Sequence, residues 1–588
     1  MLTLAKSSPR LRTWPALPYK GLSYYEPDDA PLFAGRGDDV FECADLLARP
    51  ETRILILHGS TGCGKSSFLR AGLIPFLEHD DLGFGFLKND VDGKISSIFV
   101  RATGKPLVEL AKKVCDFANS DLKLKKAGKN DYYSPKLAEL VGKLGSESDF
   151  VEKVSKDSEL FIKTLGEIAV RLPKTLILVI DQGEEVITLK PNPEDDQPLK
   201  DFFRFIELFS ETCYDLKLLV ALRTEFYGRF LAKMPQSRSA AIAHYLLDDL
   251  TKEQIVEAIE RPTSHANLEG FGVPFEHYNF DYEPGLPGKI ASDLLSKKLA
   301  GGILPVMQII CNTLYQSVTS NTGDATDSTT RKISDASYRA LGSIEDQVDK
   351  SLDATLAAWC RENGITSETE IEKEIERWKI VLCTLAGSQA DGTVTTAVVT
   401  VDKLKRQATE LNSKLDFDKT IKHLLSPEVR ILRDAEFFDG RSEKVVRYSL
   451  GHDAIGLALY RWNVGRKEVD GVISDVRSRL RVLGASTTVV GVLGWLLIRA
   501  LTNYDAYPLL IISLFYGLFF FSLSYASSIP GLDSLFYILM LLYPDIVPRN
   551  KIARLLRDRK FLAMAKRNQR SFERLQRLAA RSDKSNNN

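Results

Sequence analysis

The chain has 588 residues, 78 lysines and arginines balanced by 78 aspartates and glutamates, 44% apolar residues and 27% charged ones. That balance excludes a disordered, collagen-like or wholly membrane-embedded chain, and at about 150 residues per domain the length implies about four structural units. The seven cysteines are scattered and form no C-x-x-C, which argues against a disulfide framework or a cysteine-rich zinc site and for a reducing compartment.

Residues 1–17 form a short N-terminal extension without the apolar stretch of a secretory signal. From residue 18 to about 244, short apolar runs alternate with helical stretches: Ile54–Leu57, Ser96–Val100, Leu176–Ile180 and Leu216–Leu222. Continuous apolar runs are what strands buried on both faces look like, so an α/β fold with a parallel sheet is expected here. Residues 245–365 are mostly helical in pattern, with a polar loop expected at 317–330. Residues 366–465 combine a helix, expected over Glu372–Ala386, with β-like pieces at Val394–Val401 and Lys444–Ser449. That mixture suits a small α+β or winged-helix unit.

Residues 466–548 comprise a linker and two apolar runs. Val482–Ile498 and Ala506–Leu532 carry no charge over seventeen and twenty-seven residues. These lengths suit transmembrane helices, and the seven residues between them make the pair a hairpin. Arginines 477, 479 and 481 precede the first run. Thirteen basic residues against three acidic ones lie between Arg549 and Lys584, in a tail over 549–588. Positive flanks belong on the cytoplasmic side, so an even number of crossings is expected, with the soluble modules and the tail inside an inner membrane. Ile529–Tyr543, shorter and interrupted by Asp533, reads as interfacial or re-entrant. The tail interleaves Leu and Phe with its basic residues and fits an anionic lipid surface better than nucleic acid, which is not an expected partner.

The chemistry starts at Gly59-Ser60-Thr61-Gly62-Cys63-Gly64-Lys65-Ser66, which matches G-x-x-x-x-G-K-[ST]. A strand precedes it, and a helix is expected over Ser67–Leu77, ending near Pro75. Backbone amides of such a loop cradle a β-phosphate, Lys65 reaches the β- and γ-phosphates, and the Ser66 hydroxyl ligates magnesium. The apolar strand Leu176–Ile180 ends in Asp181, a carboxylate expected beside the phosphate loop as a second magnesium-binding group. Glu184 or Glu185 can polarise the attacking water; nothing in the sequence chooses between them. Arg223 ends another strand, where it can sense a γ-phosphate.

These residues resemble the STAND NTPases, signal-transduction ATPases with numerous domains, and specifically the bacterial novel STAND class of the first type. The resemblance rests on Pro18-Tyr19-Lys20-Gly21-Leu22 with Gly35-Arg36, on Gly59–Pro75, on Asp181-Gln182-Gly183-Glu184-Glu185 and on Leu222–Gly228. It continues through Ala258–Pro262, Leu304-Pro305 and Ser449–Ala454. Gly183 departs from it, standing where the family has Phe. The resemblance implies a P-loop sheet, a helical domain and a winged-helix lid. Gly35, Arg36, Gly59, Gly62, Cys63, Gly64, Lys65, Ser66 and Ser67 would lie at ATP or ADP and Mg2+. Pro305 would pack near the adenine, and His452 of the lid would contact the ADP β-phosphate. It further implies slow regulatory hydrolysis, an ADP-closed and ATP-open switch, a homo-oligomer when ATP is bound, and a role in antiphage defence or programmed cell death. Two alternatives stand beside it: a membrane-anchored scaffold recruiting a separate effector or receptor, and an ATPase that turns over continuously.

Overall fold

Five apolar segments build the central sheet: β1 (Ile54–Gly59), β2 (Ile98–Arg101), β3 (Leu176–Asp181), β4 (Leu216–Arg223) and β5 (Ile242–Leu247). In this computed structural model the described residues are most of 15–467, the longest gaps being 264–277 and 320–330; beyond 467 only 488–489, 492–493 and 495–496 are described. The strands pair in parallel in the order β2-β3-β4-β1-β5. Every residue of β3 is buried, as a strand covered on both faces requires. Alternate residues face opposite ways: Leu176, Leu178 and Ile180 enter one core, Ile177 and Val179 the other.

The order places β4 between β1 and β3, so the strand ending in Asp181 is not the immediate neighbour of the strand leading into the phosphate loop. The helix behind that loop ends at Leu77, as expected, and starts two residues earlier, at Lys65. It runs through Pro75 to Leu77, as α-helix at Lys65–Ser67, π-helix at Phe68–Leu73 and α-helix again at Ile74–Leu77. The wide turn sends the Ile74 amide to the Leu69 carbonyl, and Pro75 then falls at the start of a fresh α turn, where a missing N–H costs little.

Beyond β5 the chain is helical: Lys252–Glu260, Leu286–Ser296, Ile303–Thr319 and Gln347–Glu362 are its main helices. Their core takes in Tyr19, Tyr25 and Leu32 from the N-terminal segment. The helix Ile303–Thr319 covers the first residues of the expected 317–330 loop, and 320–330 lie outside the described residues. Gln347–Glu362 serves two cores, with Val348 in the helical module and Leu352, Leu356 and Cys360 in the module that follows.

That third module has helices Glu368–Cys383, Val401–Glu410 and Phe417–Leu425 around a three-stranded antiparallel sheet of β6 (Val399–Thr400), β7 (Leu432–Phe438) and β8 (Lys444–Leu450), in the order β6-β8-β7. Its first helix starts four residues before the expected Glu372 and stops at Cys383, because Ala386 is already paired across a short hairpin with Thr396. Glu368 and Glu370 in the first turn suit the positive end of the helix dipole.

Contacts divide the chain into two units, Met1–Leu459 and Tyr460–Asn588. All three modules and the site below belong to the first. In the second, residues 460–467 are helical. The expected spans Val482–Ile498 and Ala506–Leu532 and the tail lie outside the described residues, save the six positions from Thr488 to Leu496. Among the described residues no helix is long and apolar enough to cross a membrane.

Candidate nucleotide site

The parallel sheet delivers the site, since loops at the carboxyl ends of its strands converge on one edge. Gly59 ends β1 directly across from Arg223 at the end of β4, and Arg101 ends β2 across from Asp181. Between these loops and the other two modules lies a cavity of about 360 Å3, within the range of about 300–1,000 Å3 typical of small-molecule pockets. Its lining includes Thr61–Ser67 of the phosphate loop, Asp181, Gln182, Glu184 and Arg223 from the sheet, Pro305 from the helical module and His452 from the third. Lys65 and six arginines line it, against two carboxylates, Asp181 and Glu184, among the described residues. That surplus suits a polyanion.

The Lys65 ammonium donates to the Gly59 and Ser60 carbonyls, each at 2.8 Å, and is held along the inside of the loop. The Ser66 hydroxyl donates to Asp181 Oδ2 at 2.7 Å. The bond closes across the intervening strand β4, because the helix start carries Ser66 over the sheet edge. One hydroxyl and one carboxylate side by side form an all-oxygen donor pair, which suits Mg2+ completed by waters and phosphate oxygens. No cluster of three or more His, Cys, Asp or Glu side chains able to hold a metal occurs among the described residues.

Arg36 lines the cavity and also holds the loop's backbone. It is almost fully buried, and its guanidinium donates to the Cys63 carbonyl at 2.9 Å, the Asp248 carbonyl at 2.7 Å and Asp39 at 3.1 Å. It braces the loop from behind and ties it to the exit of β5. Gly35 backs onto the Gln254 carbonyl, Cys63 is buried with its Sγ 3.9 Å from the Lys65 ammonium, and the Ser67 hydroxyl accepts the Tyr25 amide at 3.1 Å. Leu304 packs against Gly64 next to the buried Pro305, and Gly302 rests on the backbone of Gly62. His452 accepts the Ala454 amide on Nδ1 at 3.1 Å.

The two glutamates separate by their partners. Glu184 lines the cavity and is buried; its Oε1 lies 3.1 Å from Arg223 Nε and its Oε2 accepts the Arg223 backbone amide at 3.2 Å. Burial pushes its carboxyl above the usual glutamate range, with Arg223 pulling the other way. Glu185 turns to Arg101, 2.7 Å away, with Arg433 at 3.7 Å. Glu184 is therefore the better placed to meet a water beside a phosphate. Gly183 is explained by contact: a Cβ there would meet Val220 Cγ1 at 2.7 Å, so the strand beneath leaves no room for the Phe the resemblance implied.

Several cavity residues escaped the sequence reading. Arg101 ends a strand just as Arg223 does, and the same reasoning applied to Ile98–Arg101 finds it. Arg70 and Arg430 have no such signal. They lie 4.6 and 3.3 Å from the centre of the Tyr24 ring and share Glu26, at 3.0 and 3.8 Å.

The profile of one family, novel STAND NTPase 1, matches residues 18–481, most of the chain. The chain belongs to the novel STAND NTPase 1 family. The match spans the sheet, the helical module and the third module, and so includes the phosphate loop and the residues gathered round the cavity. Among solved structures, a Walker-type ATPase of Pyrococcus abyssi is 12% identical with a TM-score of 0.32, over 74% of this chain and 98% of that one. The Aeropyrum pernix ORC2 protein, in ADPNP–ADP complexes, is 12% identical with a TM-score of 0.34, over 72% and 94%. At that level of superposition they add nothing to the family assignment. No curated protein matches in sequence.

Proposed function

We propose that this novel STAND NTPase is an ATP-binding and slowly ATP-hydrolysing switch, closed with ADP and open with ATP, whose third module is a winged-helix lid. The observation that carries the reading is the Glu184–Arg223 pair. With one oxygen on the guanidinium and the other on the backbone amide, Glu184 is engaged on both sides and poorly disposed to take a proton from water. A γ-phosphate brings further negative charge to the cavity and competes for Arg223; ADP brings none. Drawing Arg223 onto the phosphate releases Glu184 as general base, so the triphosphate itself arms the site.

Ser66 and Asp181 would hold Mg2+, which supplies charge neutralisation at the phosphates. Lys65 and the loop amides hold the β-phosphate, and Pro305 and His452 join from the other two modules. Because those modules line the same cavity, the nucleotide is a shared ligand whose identity biases their arrangement, provided ATP binds the open form more tightly. Resting protein should therefore purify as a monomer with ADP bound. The check is chromatography of the nucleotide released on denaturation, together with the mass in solution. A nucleotide-free preparation that hydrolyses ATP at several per second without a trigger would instead support continuous turnover.

We further propose that Val482–Ile498 and Ala506–Leu532 insert in the inner membrane as a hairpin, with the basic tail on its anionic face. Support comes from their uncharged lengths and basic flanks. ATP-driven homo-oligomers would cluster these hairpins; defence against phage or programmed cell death fits that design by family resemblance. The full chain should stay with the membrane pellet after alkaline carbonate washing, and complete release into the supernatant would remove the hairpin from the account. The absence of any Asp, Glu, Lys, Arg or His inside either run favours, as a second reading, an anchor that brings the switch to a separate effector.

A further inference from the structure

The loop that follows β3 is pinned by arginines from two different bodies. Gln182 has φ 57, in the left-handed region where a residue with a Cβ costs about 1–2 kcal/mol, so the surroundings must hold it there. Gln182 lines the cavity, and its Oε1 accepts from Arg433 Nη1 at 3.5 Å. The same nitrogen lies 3.7 Å from Glu185 Oε1. Arg433 belongs to β7, in the third module. Its direction is set within its own hairpin: Nε donates at 2.6 Å to the buried Ser449 hydroxyl, and Ser449 is its register partner on β8. The other pins differ in origin. Arg223 on Glu184 and Arg101 on Glu185 stand at the ends of β4 and β2, in the same sheet as the loop, and travel with it.

We propose that Arg433 is a positioning residue for hydrolysis, holding Gln182 and Glu185 from the third module so that the loop stays in a non-productive pose until that module withdraws. The physical reason lies in acceptor capacity. A water attacking a phosphorus atom gives one proton to the general base Glu184 and is oriented by hydrogen bonds to neighbouring acceptors, and an amide oxygen or carboxylate already facing a guanidinium orients it less well. Loss of Arg433 leaves the two sheet arginines in place and removes, with the Ser449 bond inside its own hairpin, the restraint that reports where the lid is. The inference deepens the switch reading and rests on it.

The test mixes nucleotide-stripped full-length protein rapidly with ATP, so that the first turnover is read before ATP opens the lid, and measures release of a fluorescent ADP separately. Arg433→Ala should raise the single-turnover rate about 5-fold or more, the scale of an ordinary coupling between sites. Arg433→Lys, which keeps a charge on the same strand, should restore most of the restraint. Adding Gln182→Ala to Arg433→Ala should erase the gain, because the freed amide is then absent. A slower single turnover in Arg433→Ala would overturn the proposal by making Arg433 a group that stabilises the reacting phosphate. An unchanged hydrolysis rate with faster ADP release would overturn it too, leaving Arg433 as an interface contact only. Failure of the underlying switch reading looks different: wild-type protein would then bind no nucleotide, or turn over rapidly without a trigger.

Discussion

Glu184→Gln is expected to lower ATP turnover about 10²–10⁴-fold while nucleotide binding persists, the span over which a positioned general base acts. Glutamine keeps the shape that fits beside Arg223 and still offers an oxygen to one of its donors, so the fold should survive. What disappears is the group able to accept a proton. On the switch reading the variant is held with ATP and assembles, so rapid-quench hydrolysis and light scattering should move in opposite directions. The pH dependence gives a second handle. Burial raises the Glu184 carboxyl above the ordinary glutamate range, so as pH falls the active carboxylate is lost earlier than a free glutamate would be. The native state binds this proton more readily than the unfolded state does. Within that window Glu184's contribution to stability therefore falls as pH rises, and charged Glu184 is a cost to the fold at neutral pH. The acid limb of turnover should lie above the usual glutamate region in wild type. If Glu184→Gln turned over normally and Glu185→Gln did not, the two assignments would have to be exchanged.

Gly302→Val should release ADP about tenfold faster or more. Gly302 has φ +91, and a Cβ there would lie 2.8 Å from the backbone of Gly62 in the phosphate loop. Valine meets two costs at once: about 1–2 kcal/mol for the left-handed backbone and an overlap that only separation of the helical module from the loop can relieve. Since about 1.4 kcal/mol corresponds to a factor of ten in rate, the backbone cost alone approaches the stated effect if it is felt only in the closed form. Gly364→Ala is the control. Gly364 has φ +82 with open space around its Cβ position, so it carries the conformational cost without the overlap. Fluorescent ADP release should be fast in Gly302→Val and near wild type in Gly364→Ala; equal rates in the two would show that closeness to the phosphate loop is irrelevant.

The strands that read most easily were those buried on both faces. Leu176–Ile180 and Leu218–Leu222 are unbroken apolar runs because both of their faces are buried in the core. The edge strand Ile242–Leu247 carries His244 and Tyr245 with half its residues partly exposed, and no run marks it. Strand order was not legible, since periodicity says which residues are buried and nothing about which strand lies beside which. Asp181, expected beside the phosphate loop, is there, its Oδ2 accepting from Ser66; that another strand lies between theirs could not be read. Glu184 and Glu185 are equivalent as letters; their partners, Arg223 and Arg101, separate them only in three dimensions. Arg433 sits 251 residues from Gln182 in the chain, and no local pattern announces a contact made by a lone arginine on a hairpin.

The helix Gln347–Glu362 has a mechanical corollary. Its first turns are glued into one core through Val348 and its later turns into another through Leu352, Leu356 and Cys360. It behaves as an axle keyed into two wheels. A swing of the third module must therefore drag the neighbouring bundle along or shear the axle between Val348 and Leu352, so Pro305 and His452 leave the cavity together unless that single turn gives way.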